Sequence, residues 1–111
     1  MFEIPKIVKK IQLAEYAPEF EEQSLNVWVN PPTSVIERWD AAVVRVKEDP
    51  LHAVEGLAEI DAVLAELWMV TVEDVRELRN GSESTDPGLI TWLMRQTWSL
   101  VFEHRMQRKK A

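Results

Sequence analysis

The apolar residues change their period once, at Pro31-Pro32, and that change limits what the chain can fold into. Before it, residues 24–30 (SLNVWVN) alternate, with Leu25, Val27 and Val29 on one side and Asn26, Trp28 and Asn30 on the other. Residues 7–16 place Ile7, Ile11 and Leu13 on one face, with Lys9 as the exception. A period of two marks a half-buried strand. The acidic, proline-containing stretch 17–23 separates the two runs, so an antiparallel hairpin with a long loop is expected over about residues 7–30. Two consecutive prolines cannot continue a ladder, and they end the second strand.

After the prolines the period is helical. Thr33 or Ser34 can cap a helix, and Glu37 stands three residues after Ser34, as a capping box requires. Ile36, Trp39, Val43 and Val46 then share one face of a helix over about 33–48. Asp49-Pro50 closes it and opens the next, over about 50–69, with Asp49 as N-cap and Pro50 in the first helical position. Leu57, Ile60, Leu64 and Leu67 repeat the spacing, and Leu51 and Val54 extend it. Gly56 weakens that helix by roughly 1 kcal/mol relative to Ala and marks a candidate close helix contact. Residues 71–80 allow two readings. Thr71 with Asp74 fits a short capped helix ended by Gly81, and a poorly regular, partly extended segment competes with it. A polar loop at 82–85 leads to Asp86-Pro87, which repeats the cap-plus-proline start of a helix over about 87–108. The fold class is therefore α+β, mostly α: one domain with an N-terminal β-hairpin followed by three or four helices.

Composition narrows the function. The 111 residues are 46% hydrophobic and 29% charged, the balance of a globular chain. No apolar run approaches the roughly 18 residues of a membrane span, and the first residues do not read as a secretory signal. Without cysteine there are no disulfides or thiolate metal sites, which suits a reducing compartment, so a cytoplasmic location is expected. The net charge of −6 opposes contact with nucleic acid. The one basic cluster, Arg105 with Arg108, Lys109 and Lys110, sits where it complements the negative pole of the last helix.

Catalytic chemistry finds little support. His52, Glu55 and Glu59 share a helical spacing that in principle holds a metal, but a solvated first turn explains them better. His104 reads as a charge placed near a helix end. No nucleophile elbow or dinucleotide or phosphate loop occurs, and three glycines are too few to build one. Neither enzymatic activity nor a metal or other cofactor is expected, which leaves protein binding as the function class.

The last helix carries the positive signal. Ile90, Leu93, Thr97, Leu100 and His104 form one stripe. Met94, Trp98 and Phe102, beside Val101, form a second, and Trp92 adds bulk elsewhere. This arc is wider than the single stripe a surface helix buries. Either the helix is central and wrapped by the rest of the fold, or the second face packs on another chain. In the second case Trp92, Met94, Trp98 and Phe102 are the protein-binding residues, and self-association is expected. The five tryptophans fit core or interface equally.

An Ile-Pro-Lys opening, Glu15-Tyr16-Ala17-Pro18 and the run Val27-Trp28-Val29-Asn30-Pro31-Pro32 resemble the tail assembly chaperones of long-tailed bacteriophages. Trp68 at the end of the second helix and a last helix after a polar loop look similar too. The likeness spans most of the chain with short motifs, and residues 71–85 fit it least. The resemblance implies a small hairpin followed by helices. It implies a protein that coats the tape measure protein, keeps it soluble while the tail tube polymerises, and is left out of the finished virion. It also implies a longer frameshifted product, for which codons at Lys109-Lys110 are a candidate slippage site. A tail terminator or head-to-tail connector, or a small regulatory or antitoxin-like module, are the rival readings. Gene order separates them, since a chaperone gene lies between those for the tail tube and tape measure proteins.

Overall fold

The computed structural model describes residues 4–80 and 87–110. A two-stranded antiparallel sheet, β1 (Val8–Gln12) and β2 (Ser24–Trp28), precedes four helices. These are α1 (Thr33–Glu48), α2 (Ala53–Trp68), α3 (Val72–Asn80) and α4 (Pro87–Lys110). The arrangement is the expected α+β, mostly helical one. The Gly81 stop, the 82–85 loop and the Asp86 cap lie outside the described residues.

Val8 faces Trp28 and Gln12 faces Ser24 in the hairpin register. Alternation puts Ile11, Val27 and Val29 in the core and half-buries Ile7 and Leu25. The first strand stops four residues earlier than its pattern suggests. Leu13–Glu15 turns into a 3₁₀ helix once the Leu13 N–H has bonded to the Gln23 carbonyl, closing the ladder at 3.0 Å. A second such turn, Pro18–Phe20, shapes the connecting loop. At the open end Asn30 does what two prolines cannot. Its Oδ1 accepts the Ile7 N–H at 2.7 Å, and its Nδ2 donates to the Pro5 carbonyl at 2.9 Å.

Two expected caps are formed differently. Helix α1 begins at Thr33 itself with Pro32 in the cap position, and no side chain caps it, so the Ser34–Glu37 box is not made. Pro50 does open a helical turn, Pro50–His52, but the Asp49 carboxylate takes His52 Nδ1 at 2.6 Å in place of a backbone N–H. The third region settles as helix because its caps are reciprocal. The Asp74 N–H bonds to Thr71 Oγ1 at 3.2 Å, and the Thr71 N–H bonds to Asp74 Oδ2 at 3.1 Å. Just before it, Met69 adopts the left-handed conformation (φ 56°) and the Val70 N–H reaches the Ala65 carbonyl at 3.0 Å, which closes α2.

The core lies where α2 crosses the sheet and meets α3 and α4. Val63, Leu64, Leu67 and Trp68 of α2 are buried with Val75 of α3 and Leu93 of α4. Gly56 lets α1 and α2 approach closely, for a Cβ there would stand 2.8 Å from Val46 Cγ2. None of the described helices is long and apolar enough to cross a membrane.

Candidate protein-binding surface

The two stripes of α4 have different fates along its length. Leu89, Ile90, Leu93, Thr97 and Val101 are buried, so the first part of the helix is central. Trp92 and Met94 are half-buried against the core, and the Trp92 ring lies 5.4 Å from Tyr16 in the hairpin loop. Trp98 is also half-buried, 4.9 Å from Trp39 of α1 and 5.9 Å from Phe102. Of the four residues singled out from the sequence, only Phe102 stands open, 52% exposed, one turn before the equally open Met106. The breadth of the apolar arc is thus met largely inside the subunit, and Phe102 and Met106 are its open remainder.

A second apolar surface lies on the Pro50–His52 turn and the start of α2. Leu51 and Val54, which continue the periodic face on paper, are 90% and 81% exposed. Leu57, one turn further, is 37% exposed, whereas Ile60 is covered. The reason is rotation. Each step of three residues falls about 60° short of a full turn, so Leu57, Val54 and Leu51 swing progressively off the face that buries Gly56, Ile60, Leu64 and Leu67. The core face itself stays covered in the first turns of α2, where Gly56 meets α1.

Val54, Leu57 and Ala58 form the apolar side of a shallow cleft of about 220 Å³, and Asp61, Arg76 and Arg79 close its other side. The basic groups are held in place. Arg79 Nε donates to Asp61 Oδ1 at 2.9 Å. Its Nη2 lies 2.7 Å from the same oxygen, close enough for an ion pair but off the hydrogen-bonding direction. Arg76 pairs with Glu73 at 3.0 Å. On the opposite flank, Arg38 of α1 donates to Glu59 at 2.5 Å and to Glu66 at 2.6 Å, both on α2. The Glu59 hydrogen bond above all, helped by Glu66, raises the Arg38 pKa against the opposing effect of burial. Both pairs are too exposed to add much stability, but they fix the helix pair in one orientation.

His52 is occupied by Asp49, and Glu59 by Arg38, so His52, Glu55 and Glu59 are not poised around a common point. Among the described residues no group of three or more His, Asp or Glu is placed to hold a metal. His104 borders a hollow of about 530 Å³ formed by Ile4, Pro5, Asn30, Pro31, Pro32 and Thr33. The arrangement offers apolar contact flanked by fixed charges, which suits the docking of a protein segment. Comparison with protein-family models, curated proteins and solved structures finds no match for this chain.

Proposed function

We propose that the protein is a non-enzymatic tail assembly chaperone of a long-tailed phage or prophage, acting in the bacterial cytoplasm on the tape measure protein. The observation that carries this reading is the Leu51, Val54 and Leu57 strip, open on the Pro50–His52 turn and the start of α2 and continued by a cleft rimmed by ion-paired Asp61, Arg76 and Arg79. A long helical partner exposes apolar stripes before the tube encloses it. Anchors at helical spacing on α2 match such a stripe by helix-on-helix contact. The paired Arg76 and Arg79 give that surface a polar margin, and Phe102 on α4 supplies a separate apolar anchor. The net charge of −6 keeps coated complexes apart in solution. The hairpin-then-helices order is also what the resemblance to this family implies.

Co-expression tests the reading. The tape measure protein from the same genome is expected to be insoluble alone and soluble with this protein, and Leu51→Asp with Val54→Asp should abolish the rescue. Failure of the wild-type protein to bind or solubilise that partner, or its presence as a stoichiometric part of purified tails, overturns the proposal.

A further inference from the structure

The two edges of the hairpin differ in a way that bears on assembly. Val29 N–H bonds to the Ile7 carbonyl at 2.9 Å and Leu13 N–H to the Gln23 carbonyl at 3.0 Å, so the odd-numbered residues make the bonds between β1 and β2. Ser24, Asn26 and Trp28 therefore direct their backbone N–H and C=O groups to the outer edge of β2. No other described segment makes a backbone hydrogen bond to them. An open edge is a template for another strand, and lysines are a common way to guard it. Strand β1 carries Lys9 and Lys10, whereas β2 carries no charge at all.

We propose that β2 pairs antiparallel with β2 of a second copy, about a twofold axis at Asn26, to form a four-stranded sheet. Three features favour this occupant. The register sets Asn26 against its own copy and Ser24 against Trp28, three facing pairs that each exchange two backbone hydrogen bonds. Facing residues project to the same side, so Leu25, Val27 and Val29 of both copies stay on one apolar face. Charge agrees as well. Lys6 places its Nζ 4.3 Å from the centre of the Trp28 ring, and the pairing brings the acidic turn at Glu21 and Glu22 of the second copy to that end of the strand. An uncharged edge is also the part of a −6 chain on which two copies meet without repulsion. This inference does not depend on the tape measure reading.

The 111-residue protein at about 100 μM is expected to show twice its 12.9 kDa mass by light scattering. Asn26→Pro removes one outward N–H and leaves the β1–β2 bonds intact, so it should give a monomer with an unchanged circular dichroism spectrum. The chain has no cysteine, so Asn26→Cys supplies a direct probe of register. On mild oxidation it should form a covalent dimer, while Lys10→Cys, on the guarded strand, should not. A wild-type monomer, a dimer that survives Asn26→Pro, or failure of Asn26→Cys to cross-link overturns the proposal. A dimer broken instead by Phe102→Asp would place self-association on α4.

Discussion

Trp68 on α2 and Thr97 on α4 are joined by a hydrogen bond in the middle of the core, indole N–H to Thr97 Oγ1 at 2.8 Å. The Thr97 hydroxyl proton goes to the Leu93 carbonyl one turn back, at 2.7 Å. Both side chains are at most 1% exposed. Thr97→Val keeps the shape but leaves the indole N–H buried without an acceptor, which should cost about 1–3 kcal/mol. Trp68→Phe combined with Thr97→Val should cost less than the sum of the single changes in urea unfolding. Strict additivity would refute the coupling.

Gly56→Ala sets two opposing effects against each other. Alanine gains roughly 1 kcal/mol of helix propensity. Its Cβ, however, would meet Val46 Cγ2 at 2.8 Å and the Ala42 carbonyl oxygen at 3.1 Å. The carbonyl belongs to the backbone, so α1 and α2 must move apart, and overpacking of this kind costs typically about 1–3 kcal/mol. The variant should be less stable than the parent, and a raised melting temperature would contradict the close approach.

Asp61 is buried, its side chain 7% exposed, and Arg79 is its counterion. Arg79→Met should destabilise by about 3 kcal/mol, because a buried charge is left uncompensated. Asp61→Asn in the same background should recover part of that loss. Chemical denaturation of the three variants checks the order, and a neutral Arg79→Met would show that water reaches the carboxylate.

Surface and core aromatics on α4 should separate cleanly. Phe102→Asp is expected to fold normally, since its ring is half open. Trp98→Asp should lose its cooperative transition, because the carboxylate would be placed among Trp39 and the core residues. At the start of α2 and on the turn before it, Val54→Asp and Leu51→Asp should each change stability by no more than about 0.5 kcal/mol, as exposed positions do. Thermal melts by circular dichroism decide all four.

Much of this architecture is legible from local chemistry. The change of period at Pro31-Pro32 separates hairpin from helices, and the bounds of α1 follow from the residues between Pro32 and Asp49-Pro50. The reciprocal Thr71–Asp74 caps were also readable, but propensity alone left the segment open. Leu51 and Val54 precede Leu57 by steps of three alone, which turns them off the face that buries Gly56, Ile60 and Leu64, so the same periodicity places them outside the core. What periodicity cannot tell is how far the facing element reaches, as on α4, where Trp98 and Phe102 lie one turn apart, one against Trp39 and the core and the other in the open. Caps are settled by geometry as well, since Asp49 chose His52 over the backbone.

The positions of the tryptophans have a practical consequence for spectroscopy. All five are buried or half-buried, on the hairpin, α1, the end of α2 and the first part of α4, and none lies among Leu51, Val54 and Leu57. Intrinsic fluorescence will therefore follow unfolding strongly and leave a ligand settling on the open turns of α2 almost invisible. Trp28, at the free edge of β2 with Lys6 above it, is the exception, and its emission should respond when that edge gains a neighbour. One protein thus carries an optical signal that distinguishes association through the sheet from docking on the helices, with no dye attached.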